Sequence, residues 1–269
     1  IKVLLQKLNN PQDELKNVIN CVGTKGKGST CAFLKSILEH HNKTVNLYVS
    51  PHLQRFNERI ILKDKEISDE FLNEVLTTTM KAIEKHQLSV TFFEATTTAT
   101  YLAFKNKPAD YTILECGLGG RLDTTAVINK PIAQIITPIS YDHMEFLGSD
   151  REQIGAEKAG IMRANKPVII SDPVPPASII AAAKNIGADA WVMGTDFNFS
   201  GDKQQWAWAG RSRRYAGLAY PALRGANQLL NASGVLAVIT ALRELLPVDA
   251  QSIRLGLATV ELTGRFQVI

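Results

Sequence analysis

The segment Asn20-Cys21-Val22-Gly23-Thr24-Lys25-Gly26-Lys27-Gly28-Ser29-Thr30 has the composition of a phosphate cradle. Glycines let a backbone fold tightly, successive N–H groups and a following helix N-terminus supply partial positive charge, and Lys27 can reach the β and γ phosphates of a nucleotide. The spacing departs from the common GxxxxGK[ST] loop, because Gly28 lies between Lys27 and Ser29. A second chemical group is Glu115, the last residue of the apolar run Tyr111 to Glu115. At the carboxyl end of a parallel strand, its carboxylate suits a magnesium ion or a cap for the glycines that follow. Ser50 closes the run Thr44 to Val49 in the same way, and His143 follows Ile132 to Thr137 in a loop. A hard cation prefers oxygen ligands, so His143 alone is a weak ligand candidate. Lys158, beside Glu157 in a helical stretch, reads by itself as a solvated, ion-pairing lysine. Phe92 and Phe93 fit either core packing or a flat apolar surface for a ligand.

A parallel sheet would bring these residues to one edge, and the hydrophobic pattern predicts one. Val18 to Val22 reads as a buried strand feeding the glycine loop, followed by a helix from about Ser29 to His41 with Phe33, Leu34, Ile37 and Leu38 on one face. Thr44 to Val49, Tyr111 to Glu115, Ile132 to Thr137 and Val168 to Ile170 are further strands. Helices are expected from Ser68, a good N-cap with Asp69 and Glu70 behind it, to about Lys85, and over Glu94 to Phe104, Arg151 to Met162 and Ala177 to Ile186. From Trp191 to Leu218 short alternating segments predict a small antiparallel sheet, within a subdomain of about 190–222. Helices near Asn227 to Leu246 and Asp249 to Thr259 follow. The fold class is therefore α/β: a mostly parallel sheet flanked by helices, with a small antiparallel β-subdomain.

Composition narrows the function. The 269 residues are 45% hydrophobic and 21% charged, globular values that argue against disorder or a coiled-coil rod. No apolar run approaches the roughly 18 residues of a membrane span, and no signal peptide opens the chain, so no membrane partner and a cytoplasmic location are expected. A net charge of +4 without a dense Lys/Arg run argues against nucleic acid. Cys21, Cys31 and Cys116 are odd in number and fall in apolar segments, as small buried residues would. The chain starts without Met and stops inside Gly264-Arg265-Phe266-Gln267-Val268-Ile269, which reads as part of a longer protein. Residues 1–160 carry 15 Lys and 4 Arg, residues 161–269 carry 3 Lys and 8 Arg. That shift fits a second domain, uneven base composition or a composite of two related parents.

The glycine loop in its unusual form, with Gly23 to Thr30, resembles that of the folylpolyglutamate synthase and dihydrofolate synthase family within the Mur ligase superfamily. The same order of segments continues along the chain: Ser50-Pro51-His52-Leu53 with Asn57-Glu58-Arg59-Ile60, Thr91-Phe92-Phe93-Glu94, and Glu115-Cys116-Gly117-Leu118-Gly119-Gly120-Arg121-Leu122-Asp123. Asp142-His143 with Leu147-Gly148, Glu157-Lys158-Ala159-Gly160-Ile161 and Gly264-Arg265-Phe266 complete it.

This resemblance implies a P-loop ATPase domain of the Mur ligase type over 1–264, with 265–269 opening a linker to a C-terminal domain. It implies an ATP site of Thr24, Lys25, Gly26, Lys27, Gly28 and Ser29, with Asn231 near the adenine and Arg265 on a phosphate. Ser50, Glu115 and His143 would hold Mg²⁺, and Lys158, carbamylated by CO2, would help hold a second. Carbamylation needs a neutral amine, which burial favours. Thr91, Phe92, Phe93, Glu94, Leu122, Asp123 and Thr124 would contact the folate or pterin. Lys27, Lys158 and His143 are the implied catalytic residues.

The implied reaction is ATP-dependent amide formation. ATP phosphorylates a carboxylate of 7,8-dihydropteroate or a reduced folate, and the amine of L-glutamate displaces phosphate from the acyl phosphate. A monomer is expected. Three departures qualify the resemblance: Lys25 stands where relatives carry Asn, Ala226-Asn227-Gln228 replaces a His-Gln pair near the adenine, and the C-terminal domain is missing. The chain as given is therefore expected to bind nucleotide and to catalyse poorly or not at all. Three other readings stay open: a sibling Mur ligase acting on a cell-wall precursor, a P-loop nucleotide switch, and a noncatalytic folded module.

Overall fold

A computed structural model describes residues 1–141 and 144–262. The first strand, β1 (Val18–Val22), is buried along its whole length and runs into the glycine loop and α2 (Lys27–His40), after a short α1 (Lys2–Lys7). β2 (Val45–Tyr48) follows, then a hairpin of β3 (Ile60–Leu62) and β4 (Lys65–Glu66). Two helices, α3 (Asp69–Lys85) and α4 (Phe92–Asn106), lead to β5 (Tyr111–Glu115). Next come β6 (Ala133–Ile136), α5 (Met144–Leu147), α6 (Arg151–Ala159), β7 (Pro167–Ile170), α7 (Ala177–Ile186) and β8 (Asp189–Val192). β9 (Phe197–Gly201), β10 (Trp206–Gly210), β11 (Arg214–Leu218), α8 (Gln228–Ala241) and α9 (Ala250–Thr259) complete the described elements.

The main sheet has the order β4-β3-β2-β5-β1-β6-β7-β8. From β2 across to β8 every pairing is parallel, and the β2–β3 and β3–β4 pairings at the other edge are antiparallel. Both faces are covered, which is why its strands read as continuous apolar runs. Ile19 and Cys21 of β1 pack with α2, α8 and α9, whereas Val18 joins a cluster with α3 and α4, and Val22 one with α6 and α7. All three cysteines are free and buried, as expected.

Local chemistry sets the helix ends. Ser68 Oγ accepts the Phe71 N–H at 3.2 Å, fixing the start of α3. Asp150 and Asp249 cap α6 and α9 in the same manner, and Gly187 ends α7 at φ +71. α8 is buried on nearly every side because the main sheet lies beneath it and the small sheet β9–β11 above. Trp208 of that small sheet donates its indole N–H to the Ser233 carbonyl of α8 at 3.1 Å, which satisfies its polar atom at full burial.

The architecture agrees with the expected α/β class, with adjustments. Trp191 and Val192 belong to β8 of the main parallel sheet, so the small antiparallel sheet begins at Phe197. α4 starts at Phe92 rather than Glu94, α6 ends at Ala159 rather than Met162, and α8 ends at Ala241 rather than Leu246. Among the described residues, no helix is long and apolar enough to cross a membrane.

Candidate nucleotide and metal site

The carboxyl ends of β1, β2, β5 and β6 gather the chemical groups. The loop after β1 turns through Gly23 at φ +152 and Gly26 at φ +89, the second serving as N-cap of α2. Left-handed φ is what glycine permits at no steric cost. Thr24 and Lys25 donate their N–H groups to the Pro138 carbonyl at 3.1 and 3.2 Å, and Thr24 Oγ1 donates to the Ser140 carbonyl at 3.1 Å. The segment after β6 is therefore the back wall of the loop. Lys27 Nζ lies over the loop, donating to the Gly23 carbonyl at 3.0 Å, while Lys25 is exposed.

α8 closes the other side. Asn231 lies against Gly26 and donates to Gln228 Oε1 at 3.1 Å, and Gln228 Nε2 donates to Ser29 Oγ at 3.3 Å. Ser29 is thus tied to Gln228, one of the residues by which this chain departs from its resemblance. Asn231 is buried, 3% exposed, and its Oδ1 has no hydrogen-bond partner. It sits beside the phosphate loop itself.

Glu115 ends β5 as expected, buried, with its Oε2 accepting the Ser50 N–H at 3.4 Å. The same oxygen lies 3.8 Å from the position a Cβ on Gly28 would take, so the carboxylate faces the first turn of α2. Glu115 and Ser50 offer oxygen donors next to the phosphate loop, a donor set that fits a hard divalent cation completed by water and phosphate oxygens. Among the described residues no group of three or more His, Cys, Asp or Glu forms a metal cage. His143 and Arg265, both expected at this site, lie outside the described residues.

Lys158 is buried near the end of α6, its Nζ 3.4 Å from the Gly119 carbonyl to which it donates. The glycine loop after β5 lies directly on this helix end. Arg121 N–H donates to the Glu157 carbonyl at 2.8 Å, the Arg121 guanidinium pairs with Glu157 at 2.9 Å, and a Cβ on Gly120 would meet the Glu157 carbonyl at 2.5 Å.

The residues expected to contact folate divide sharply. Thr91 and Glu94 form a reciprocal capping box at the start of α4, with Thr91 Oγ1 accepting Glu94 N–H at 3.2 Å and Glu94 Oε2 accepting Thr91 N–H at 2.8 Å. Asp123 is buried, and its oxygens accept the N–H groups of Gly117, Leu118 and Thr125 and the Thr125 hydroxyl, at 2.7 to 3.0 Å. Thr124 is buried against Thr97, with their hydroxyls 3.0 Å apart. Phe93 is half-buried over Gly117 and Tyr48. Phe92 and Leu122 are left on the surface, 68% and 79% exposed.

Several contributors carry no single-residue signal. Glu58 accepts the N–H groups of Leu53, Gln54 and Arg55 at 2.6 to 2.8 Å, shaping the loop after Ser50. Those amides hold its carboxyl below the usual range, the Leu53 N–H most of all. His52 accepts from Arg59 Nε at 2.8 Å and meets Phe56 edge-on, and Phe56 meets Phe92.

Comparison with known proteins bears on this arrangement. The model of the Mur ligase middle domain matches residues 22–216. The dihydrofolate synthase/folylpolyglutamate synthase of Haemophilus influenzae is 38% identical over 255 residues, 94% of this chain and 55% of that protein. Its Escherichia coli counterpart is 37% identical over 254 residues, 94% of this chain and 58% of that protein. Among solved structures, E. coli FolC in complex with ADP superposes with a TM-score of 0.92 at 34% identity, covering 99% of this chain and 62% of that one. A Yersinia pestis bifunctional folylpolyglutamate synthase/dihydrofolate synthase with Mn, AMPPNP and L-glutamate bound gives 0.90 at 35%, covering 100% and 63%. The chain spans a little over half the length of these curated relatives.

Proposed function

This chain belongs to the Mur ligase family, and from that premise we propose that it is the ATP-binding and phosphoryl-transfer part of a glutamate ligase acting on 7,8-dihydropteroate, reduced folates or both. The observation that carries the reading is the convergence at one sheet edge of the phosphate loop, Lys27 and the Glu115 carboxylate. The relatives' own names and their structures with ADP, with a DHPP ligand, and with Mn, AMPPNP and L-glutamate support the substrate classes.

The loop amides and the N-terminus of α2 bind the nucleotide phosphates. Lys27 exchanges the neutral Gly23 carbonyl for phosphate oxygens, a stronger charge-assisted contact, and offsets the charge growing on the transferred phosphoryl group. Glu115 and Ser50, with His143 from the sequence-based set, would hold Mg²⁺, which when bound neutralises phosphate charge. Lys158, if carbamylated, would add a second anionic oxygen ligand from the end of α6. The acceptor carboxylate takes the γ-phosphoryl group from ATP, ADP leaves, and the glutamate amine then forms the amide as phosphate departs. Phe92 and Leu122 are the side chains of the expected folate set free to meet an aromatic acceptor.

The domain assignment is part of this reading: 1–264 as the ATP-binding unit. The chain is expected to bind MgATP through this unit. The deciding experiment measures ADP release with MgATP and L-glutamate, adding 7,8-dihydropteroate or tetrahydrofolate separately, and MgATP binding by calorimetry. Acceptor-dependent release, or MgATP binding lost in Lys27→Ala, supports the reading. Release with nucleotide alone, unaffected by acceptor, replaces the ligase with a nucleotide switch.

A further inference from the structure

The main chain of Ile139, between the two carbonyls that hold the phosphate loop, is gripped from both sides by side chains. Asp172 Oδ2 accepts its N–H at 2.8 Å, and Arg151 Nε donates to its carbonyl at 3.1 Å. Arg151 Nη2 also donates to Asp172 Oδ2 at 2.8 Å and to the Val174 carbonyl at 2.9 Å, while Asp172 Oδ1 accepts the Val174 N–H at 2.9 Å. β6 and β7 end at Ile136 and Ile170, and the last backbone rung between them is Ser171 N–H to the Ile136 carbonyl at 2.9 Å. Beyond that rung, the side-chain pair takes over the work of the ladder and ties the 137–140 segment to its neighbour.

What that segment touches is the phosphate loop. Pro138 and Ser140 flank Ile139 and accept from Thr24 and Lys25, and Thr137 Oγ1 lies 1.9 Å from where a Cβ on Gly23 would be. A displacement of Ile139 would therefore move the carbonyls to which the first residues of the phosphate loop are tied.

Stability is a poor reason for such a pair. The Asp172 side chain is only 5% exposed, and desolvating a carboxylate roughly cancels what its partner returns, so a buried ion pair is often replaceable by apolar groups without loss. What two charge-assisted contacts to the Ile139 main chain do supply, braced by the bond between the pair and two more to Val174, is a single backbone geometry, and binding a phosphate to a preorganised loop avoids the cost of ordering it.

We propose that Arg151 and Asp172 are positioning residues for nucleotide phosphate binding, acting through Ile139 to hold the back wall of the phosphate loop. The proposal rests on the phosphate-loop reading, and its test separates the two. MgATP affinity by calorimetry, amide hydrogen exchange and thermal unfolding are compared for the wild type, Asp172→Asn, Arg151→Gln, their double variant, Lys27→Ala, and Asp249→Ala as a destabilised control whose cap lies on α9.

Asp172→Asn and Arg151→Gln should each weaken MgATP binding by about 10- to 100-fold, the range for supporting partners of a binding group. The double variant should be no more than about twofold worse than the weaker single, as residues sharing one network are non-additive. Exchange at the Thr24 and Lys25 amides should accelerate while that at Cys21 stays slow. Asp249→Ala should lower the melting temperature and leave affinity within about twofold, as distant sites are independent. If Asp172→Asn fails to fold, Arg151→Lys carries the same comparison.

Affinity within twofold of wild type in the clamp variants, or unchanged exchange at Thr24 and Lys25, overturns the proposal. If instead the wild type does not bind MgATP, or Lys27→Ala binds as well as it, the phosphate-loop reading fails. The exchange data then still decide whether the clamp orders the loop.

Discussion

The carboxamide of Asn231 occupies the space that a side chain on Gly26 would need. A Cβ there would lie 2.3 Å from Asn231 Oδ1, and Gly26 has φ +89. Two independent constraints, one steric and one conformational, thus meet at the N-cap of α2.

Gly26→Ala should destabilise the fold by about 1–3 kcal/mol, the cost of a side chain in a sparsely populated backbone region. It should also abolish measurable MgATP binding. Adding Asn231→Ala removes the clash and leaves the φ penalty, so the double variant should recover part of the stability in urea unfolding. Wild-type stability in Gly26→Ala would mean that the loop has room this structure denies it.

Asp123 organises the loop between β5 and β6 through four hydrogen bonds of its own carboxylate. Asp123→Ala would strand three backbone N–H groups and a hydroxyl, with each buried loss worth about 1–3 kcal/mol before solvent compensates. A net loss of about 2–5 kcal/mol is expected in denaturant unfolding, as for breaking a buried network. A variant of unchanged stability with weakened folate binding would restore the direct-contact role.

Cys31 and Cys116 set the alkaline limit. The Cys31 thiol is pushed up by its hydrogen bond to Cys21 and by burial, and burial pushes the Cys116 thiol up. A group whose folded pKa is raised gives stability that is complete below its unfolded pKa and is lost as pH rises. Stability should therefore fall above about pH 8.5, the ordinary thiol value. Cys31→Ala should flatten that decline, and neither thiol should react with a disulfide reagent at pH 8 until the protein unfolds.

Asp249 works in the opposite direction. Contacts from the Ser252 hydroxyl and N–H, with His41 beyond them, hold its carboxyl far below the usual range. Its contribution is present above about pH 3.9, the unfolded carboxylate value, and is lost only as pH falls below that. The melting temperature of Asp249→Asn should lie below wild type at pH 6, and the two should converge under strong acid. Parallel curves down to pH 2 would remove Asp249 from the acid transition.

Much of this was legible where one residue's chemistry is local. Ser68 as an N-cap, the glycine loop between a strand and a helix, and Glu115 at a strand end each follow from a short stretch of chain. The T-x-x-E spacing of Thr91 and Glu94 is also a local signal, that of a capping box, and it competes with the folate reading that the resemblance attaches to the same residues. β8 is different: Asp189-Ala190-Trp191-Val192 is a four-residue edge strand of the parallel sheet, too short for its pattern to distinguish it from a strand of the following hairpins. Asp123, and Asp172 with Arg151, are ordinary surface types in sequence. Their roles come from main-chain groups that only the tertiary fold brings within reach.

β1 leaves the ribosome well before its two neighbours in the sheet, β5 and β6, which are encoded from Tyr111 and Ala133 onward. A nascent chain that has already released the whole phosphate loop from the ribosome still lacks the strands that flank it and the Pro138 and Ser140 carbonyls that orient it. The finished phosphate site therefore forms only after β6 is made, and the unpaired edges of β1 must be kept from other partners until residue 140 is out.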